Sequence, residues 1–490
     1  MITWGISANS HDGSLAVFDK NELVFASHTE RFSGLKNDPH LNRDIIDYAL
    51  QWGNPDEVIW YEKPFKKTVR QLVAGQGWNW NENNIKTYLK QYNINAPLGY
   101  SNHHESHAAG GYYTSGFNDA TIICIDSIGE FETLTIWEGK GDKLTKVFTQ
   151  GYPHSIGLFY SAMTQRIGLK PNEDEYILMG MAAYGDYRKY YDEIRRSFFK
   201  LGPHEHWTFP NVELSQNLHR GCNWWREGKL TWKQKSDIAA ATQAIYEEVF
   251  MGLVEFCSRK FSSKNLVLSG GCALNCSANG KAQSYYDKVW IMPNPGDAGS
   301  SVGAVLAKKK EHIEWKGPYL GYNIEGDYPV DKIIKELQTN GIVGVANGRA
   351  EYGPRALGNR SLLADPRGKD IKDKVNRIKK RQKFRPFAPA ILEEHADKEF
   401  YGSVGPYMQF TSKCRHPDLY PAITHIDGTS RVQTVGKNDN PGFRKLLEAW
   451  YELTGCPMLL NTSLNIKGKP MVNNEKDAKK FAQKYGVSVY

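Results

Sequence analysis

The 490-residue chain has no apolar run long enough to cross a bilayer, which argues against a membrane span. Its opening, MITWGISANSHDG, lacks the basic and apolar regions of a secretory signal, so the expected location is the cytoplasm. Cysteine is sparse. Seven residues scattered over this length form no disulfide framework. Cys272 and Cys276, in SGGCALNCSANG, lack a second pair at zinc-ribbon spacing and read as small buried thiols near a helix start. Low-complexity tracts and short-period repeats are also missing. What remains is an ordinary globular composition, 40% hydrophobic and 24% charged. The length is too great for one core and predicts two or three domains. A formal net charge of +8 favours an anionic ligand, from nucleotides to nucleic acid, without choosing between them. Much of the local excess lies in Arg367–Arg385, where a solvated helix face is the plainer reading.

The chain opens on a strand–turn–strand pattern: Ile2–Ser7, a turn at Asp12-Gly13, and a return over Leu15–Phe18. A second such unit spans Thr121–Trp137, with Asp126-Ser127-Ile128-Gly129 as its turn. Two units with polar turns suggest a duplicated half-domain, each half offering a turn to one side of a phosphate. Asn102–Gly111 reads as a helix start, and Ser236–Lys260 as a long proline-free helix. Asn265–Ser269 is a short strand broken by Gly270-Gly271, and Ala273–Lys281 begins the next helix. Strand, glycine turn and helix are a common nucleotide-binding arrangement. Val289–Met292 is a strand and Ala298–Lys309 a helix. Lys310–Pro329 reads as a linker, with Gly317-Pro318, Gly321 and Gly326 as breakers. A second domain then starts near Val330, with a helix over Asp331–Asn340 and a strand over Ile342–Ala346.

Five clusters carry chemistry. In NHHESHAAGG, His103 and His107 are four apart, so both imidazoles leave one helix face and suit one metal ion. Asp126, in the second hairpin turn, and Asp297, before a helix, complete a two-histidine, two-carboxylate set suited to Fe(II), Mn(II) or Zn(II). Singly, Asp126 reads as a turn residue and Asp297 as a helix cap. In NGRAEYGPRALGNRS, glycines permit close backbone approach, and Arg355 and Arg360 can fork onto phosphate or carboxylate oxygens. Arg385 lies in the proline-bounded RQKFRPFAP. In HIDGTSRVQT, which begins at His425, residues Thr429, Arg431 and Gln433 would share one face of a strand. Asn461, Ser463 and Asn465 form a polar turn after the apolar Met458–Leu460.

Together these blocks resemble the O-carbamoyltransferase family that includes nodulation-factor, cephalosporin, novobiocin and tobramycin carbamoyltransferases. The blocks are GISANSHDGSLAVF, NHHESHAAGGYY, DSIGE, LSGGCALNCSANGK, NPGDAGSSVGAVLA, EYGPRALGNRSLLADPR, FRPFAPAIL, HIDGTSRVQTV and LLNTSLN, in order along nearly the whole chain. The resemblance implies an α/β protein of two domains. Residues 1-325 would be a duplicated actin-like ATPase domain, similar to the tRNA threonylcarbamoyl-transfer subunit. Residues 326-490 would be similar to threonylcarbamoyl-adenylate synthases (YrdC-like). The second domain would form carbamoyl-adenylate from carbamoyl phosphate and ATP, and the first would pass the carbamoyl group to an alcohol. His103, His107, Asp126 and Asp297 fall on the family's metal ligands, usually occupied by iron; Mg(II) is a further candidate. His11 falls where a general base for the acceptor hydroxyl would sit, or a hydrogen-bonding turn residue. Arg355, Arg360, Arg385, His425, Arg431 and Asn461 fall on the carbamoyl-phosphate and ATP site. Gly270, Gly271 and Asn275 fall on the loop beside the adenylate. Asp12, Ser127, Gly129, Gly353, Ser463 and Asn465 complete the expected nucleotide contacts.

Two departures stand out. Ile177 and Ala183 replace a usual lysine and proline, so a nucleotide or acceptor contact is expected to be lost there. The chain also ends sooner after LLNTSLN than family members usually do, which implies a missing closing strand or helix. A homodimer is the expected assembly. For the acceptor, the charge and the tryptophans in GWNW, at Trp78 and Trp80, and in NWWR, at Trp224 and Trp225, favour a hydroxymethylated pyrimidine in DNA or a nucleotide. A sugar or natural-product hydroxyl is the alternative. Two rivals stand outside this chemistry: a threonylcarbamoyl-type tRNA-modifying enzyme, and a non-catalytic nucleotide- or nucleic-acid-binding protein.

Overall fold

The computed structural model describes residues 1–490 as a mixed α/β protein with two compact units. The first holds Met1–Ser10, Ser14–Val24 and Trp52–Trp315; the second holds His11–Gly13, Phe25–Gln51 and Lys316–Tyr490. No helix is long and apolar enough to cross a membrane.

The first unit contains the same topology twice. Its first sheet comprises β1 (Ile2–Ser7), β2 (Ser14–Asp19), β3 (Glu22–His28), β4 (Glu57–Trp60) and β5 (Leu98–Tyr100), in the order β3-β2-β1-β4-β5, with the end of β3 from Phe25 counted in the second unit. β1 runs antiparallel to β2 and parallel to β4, which is parallel to β5. The second sheet comprises β6 (Asp119–Gly129), β7 (Glu132–Lys140), β8 (Lys143–Gly151), β9 (Asn265–Ser269) and β10 (Lys288–Trp290). Its order, β10-β9-β6-β7-β8, is the first read backwards. β6 is antiparallel to β7 and parallel to β9, which is parallel to β10. In each half, the opening strand lies central, with its hairpin partner on one side and crossover strands on the other. This is the actin-like duplication suggested by the two strand–turn–strand units.

Small residues bring two helices of this unit together. His103–Tyr112 and Ser300–Lys309 are in close contact because a Cβ on Gly303 would lie 1.9 Å from the Ser106 carbonyl oxygen. No side chain larger than hydrogen fits there. The longest helix, Trp232–Lys260, starts with a capping box between Thr231 and Gln234.

The second unit is built on a five-stranded sheet. Its strand order is Ile342–Ala346, Arg360–Ala364, Met458–Ser463, Ala388–Leu392, Gln433–Val435. All neighbours are antiparallel except the last pair. Val343, Leu362, Leu363, Ile391, Leu459 and Leu460 are fully buried and start its core.

Several expectations need correction. β6 runs through the expected turn to Gly129, with a register shift after Ile125, and the chain reverses at Glu130-Phe131 instead. Glu130 takes the positive φ that the reversal needs. The expected linker contains a strand, Tyr319–Ile324, paired with Gly348–Glu351. Its Gly321 is not a breaker; it admits Ala350, whose side chain would lie 3.0 Å from an added Cβ. The helix expected over Ala273–Lys281 is three short turns, Gly271–Leu274, Cys276–Asn279 and Gly280–Ser284. Thr429 and Gln433 lie in strands of different sheets, so Thr429, Arg431 and Gln433 share no strand face. Asn461 and Ser463 lie within a strand, not a turn.

Candidate functional site

The first unit gathers His103, His107, Asp126 and Asp297 so that one donor atom of each lies within 4.8 Å of the others. His103 and His107 sit one turn apart on one helix, as their spacing requires. Asp126 comes from β6 where its register slips, and Asp297 opens the short turn before Ser300–Lys309. His103 Nε2 is 3.3 Å from both Asp126 Oδ2 and Asp297 Oδ1. His107 Nε2 is 3.2 and 3.4 Å from the same oxygens, and 3.1 Å from His103 Nε2. Two imidazole nitrogens facing each other and two carboxylates need a positive charge between them. Burial lowers the His103 pKa, but the facing carboxylates of Asp297, Asp126 and Glu62 outweigh it and raise the pKa well above its usual value. His107 is raised for similar reasons against burial, and Asp126 is driven well below the usual carboxylate range by the two histidines. Protons can fill this role; so can a divalent cation, and a two-nitrogen, two-oxygen donor set fits a first-row transition metal.

Around these four lie residues that sequence reasoning missed. Glu62 and Lys67, 4% and 5% exposed, pair at 2.7 Å, and Glu62 Oε2 is 3.7 Å from His103 Nδ1. His107 Nδ1 faces the Ser300 hydroxyl at 3.4 Å. The Tyr61 ring lies 5.2 Å from that of His103. His104, between the two candidate ligands in sequence, instead bonds Thr135 Oγ1 at 2.9 Å, and burial with the neighbouring histidines drives its pKa well down. Gly129 is required for steric reasons, since a Cβ there would lie 2.2 Å from His103 Cδ2. The Ser127 amide donates to Asp126 Oδ1 at 2.8 Å, and Gly271 sits next to that oxygen. Gly270 donates its amide to the Pro295 carbonyl.

The second unit brings together Lys379, the Arg355 loop, the 379–385 segment and the strand bearing Asn461 and Ser463. Lys379, 4% exposed, donates to Asn465 Oδ1 at 2.9 Å and Ser463 Oγ at 3.2 Å. Burial lowers its pKa far below 10.5, and Arg381 and Arg385 add to the shift. Its bonds thus run to neutral oxygens, while the charges bearing on it are positive. The Asn461 side-chain amide donates to the Ala356 carbonyl and Gln433 Oε1, and its own Oδ1 is buried without a partner. Arg431 Nε is likewise buried and unpartnered. Arg355 and Arg385 are half-buried. His425 Nδ1 lies 3.5 Å from Asp427 Oδ1. His11 and Asp12 belong to this unit; His11 Nδ1 is 3.0 Å from Asp12 Oδ2. Gly353 accepts a bond from Arg31 at 3.0 Å.

The family description "Carbamoyltransferase N-terminus" matches residues 3–306, and "Carbamoyltransferase C-terminus" matches residues 334–490. The chain belongs to the carbamoyltransferase family. Among curated relatives, the chain is 30% identical to nodulation protein NolNO of Sinorhizobium fredii, over 96% of this chain and 76% of that one. It is 26% identical to the 3'-hydroxymethylcephem-O-carbamoyltransferase of Amycolatopsis lactamdurans, over 98% of this chain and 96% of that one. Among solved structures, full-length HypF in its phosphate- and nucleotide-bound form matches 63% of this chain and 46% of its own, at 13% identity and a TM-score of 0.35.

Within this carbamoyltransferase, two expected contacts take other roles. Arg360 is fully buried. Its guanidinium donates to the carbonyls of Asn347, Gly348, Asn359, Tyr322 and Asn473 at 2.8–3.1 Å. These carbonyls take up Nε, Nη1 and one hydrogen of Nη2, and with the side chain fully buried they make Arg360 a support of the loop rather than a phosphate contact. Asn275 caps its short helix and exchanges amide hydrogen bonds of 3.0 Å with Gln243, which occupies the group expected beside an adenylate. Ile177 is 1% exposed. Cys272 and Cys276 are free thiols.

Proposed function

We propose that the protein is an ATP-dependent O-carbamoyltransferase acting on a small-molecule hydroxyl. Its C-terminal unit, read as threonylcarbamoyl-adenylate-synthase-like, would take carbamoyl phosphate, ATP and water to carbamoyl-adenylate, phosphate and pyrophosphate. Attack by the acceptor oxygen then forms the carbamate ester, and AMP leaves. The observation that carries this reading is the convergence of His103, His107, Asp126 and Asp297 in a chain of this family. Those four would hold a divalent metal, with Fe(II), Mn(II) or Zn(II) fitting the donors, and the metal would supply Lewis-acid polarisation. Arg355, Arg385 and Arg431 would neutralise the phosphates of carbamoyl phosphate and ATP, and the buried Asn461 Oδ1 can accept the carbamoyl amide. Asp12 fixes one nitrogen of His11, and the other would serve as general base.

The acceptor reading shifts from a modified pyrimidine to a sugar or natural-product alcohol. The name of the cephem relative supports this. So does the packing of one tryptophan: Trp225 is 5% exposed and lies against Phe198 at 5.7 Å, whereas Trp224 stays 46% exposed. Trp78 and Trp80 keep largely exposed rings. The test is mass spectrometry after incubation with ATP, carbamoyl phosphate, Fe(II) and a panel of sugars and natural-product alcohols, alongside hydroxymethylcytosine-containing DNA. One added carbamoyl on a small alcohol supports the proposal. Carbamoylated DNA alone would return the acceptor to nucleic acid, and no carbamate with no pyrophosphate released would refute the chemistry.

A further inference from the structure

We infer that the buried Glu62–Lys67 pair is an outer support of the metal centre, which fixes the His103 ring for coordination and ties it to the N-terminal turn at Asn9. This rests on the metal reading of the four donors. The pair follows directly from the end of β4: Tyr61 and Glu62 leave the sheet, and Pro64–Val73 forms a helix whose first turn presents Lys67. Glu62 uses both oxygens in different directions. Oε1 accepts from Lys67 at 2.7 Å, and Oε2 faces His103 Nδ1 at 3.7 Å. Lys67 also donates to the Asn9 carbonyl at 2.8 Å. Asn9 has a φ of 60°, a left-handed conformation that asparagine tolerates and that this bond helps hold.

A fully buried carboxylate and ammonium are costly to desolvate, and a hydrophobic pair of the same size would often be no less stable. The pair therefore needs a reason beyond stability, and its geometry supplies one. Both imidazoles of the centre point Nε2 at the carboxylates, so their Nδ1 atoms determine which nitrogen keeps its lone pair. His103 has a carboxylate behind Nδ1, whereas His107 has only the Ser300 hydroxyl at 3.4 Å. A negative charge behind Nδ1 favours the Nδ1–H tautomer, orients the ring and makes Nε2 the more basic donor. The two histidines are thus unequal: behind Nδ1, His103 faces a carboxylate charge at ion-pair distance and His107 a neutral hydroxyl. Lys67 neutralises Glu62 towards the rest of the protein and carries ring position to Asn9.

The test uses the full-length protein and Co(II) alone. Wild type, E62Q, E62D and S300A are titrated with Co(II), read by visible absorption and by equilibrium dialysis, with circular dichroism confirming the fold of each. E62Q should lose roughly 10–100-fold in affinity and change the Co(II) spectrum, because outer-shell partners have effects of this size. E62D should lose less, and S300A should stay within about threefold. Hydrogen exchange around Asn9 should slow when Co(II) binds to wild type but not to K67M. Wild-type affinity and spectrum in E62Q, or in E62D if E62Q does not fold, would overturn the inference. Loss in S300A as large as in E62Q would overturn the asymmetry. Failure of wild type itself to bind Co(II) would instead sink the metal reading.

Discussion

Adding one methyl group at Gly129 should disable the centre by steric means alone. The ideal Cβ there lies 2.2 Å from His103 Cδ2, 2.6 Å from Cγ and 2.9 Å from Nε2. Carbon atoms in contact settle about 3.5–4.0 Å apart, so the ring has to move by more than about 1 Å. Its retreat is blocked by the Tyr61 ring, with centroids 5.2 Å apart, and by the Glu62 carboxylate. Metal–ligand distances tolerate only about 0.2 Å, so a ring displaced this far is no longer a ligand. Overpacking of this kind costs about 1–3 kcal/mol. G129A should therefore lower stability by about that amount in urea unfolding and weaken Co(II) binding by more than about tenfold. The decisive comparison is the double variant. Because H103A removes the atoms that clash, G129A should cost little in the H103A background, a coupling of about 1–2 kcal/mol in a double-mutant cycle. Additivity within about 0.5 kcal/mol, or unchanged Co(II) affinity in G129A, would refute the steric argument.

Three further outcomes are expected. Saturating Co(II) or Mn(II) should raise the melting temperature of wild type, by about 2.7 kcal/mol in free energy at a hundredfold excess over Kd, and should not stabilise H107A; equal shifts in both proteins would place the ion elsewhere. Arg360→Met strands five backbone carbonyls and should cost about 3 kcal/mol or more in chemical unfolding; a variant of normal stability with a raised KM for carbamoyl phosphate would restore Arg360 to the substrate site. Burial pushes the His28 pKa down to about 4, outweighing Glu30 and Asp12. The unfolded chain therefore binds the extra proton between pH 6.5 and 4, so stability is full above pH 6.5 and falls as pH drops towards 4. The loss is on the order of 3 kcal/mol, and urea midpoints that do not separate wild type from H28Q between pH 7 and 4.5 would contradict it.

Periodicity and turn signals located much of the first unit, because a hairpin beside a crossover leaves its pattern in short segments such as Ile2–Phe18. The four residues that converge in the first unit were also legible, since the i, i+4 histidines and the acidic residues at a strand end and a helix start each have a local cue. Glu62 and Lys67 have none: His103, which Glu62 faces, is distant in sequence, and an isolated Glu and Lys after a strand look like surface residues. Lys379 was hidden in a basic run that reads as a solvated face, although its side chain is turned inward onto the Ser463–Asn465 segment. Arg360 was legible as important but not for the right reason. Sequence shows a guanidinium in a glycine-rich loop and cannot show that the carbonyls of that loop point at it. Asn461 and Ser463 read as a turn because polar residues rarely continue a strand, yet here the strand continues and buries Asn461.

The second unit takes in residues 25–51, and this has a consequence for synthesis. Tyr48 packs on Tyr322 at 4.9 Å and its hydroxyl accepts the Asn323 amide, while Phe32 also meets Tyr322 and Arg31 bonds the Gly353 carbonyl. None of these partners exists when residues 25–51 leave the ribosome. At about 5–20 residues per second the wait before Lys316 emerges is roughly 13 to 50 s, during which Phe32 and Tyr48 lack their Tyr322 partner. The N-terminal unit can complete its second sheet in that interval, so the nascent chain carries an aromatic segment awaiting its partner while most of its length is already folded. Chaperone dependence should therefore be greatest for chains stalled between the two events, and a ribosome-bound series of increasing length would reveal protection of residues 25–51 only after the Tyr319–Ile324 strand is out.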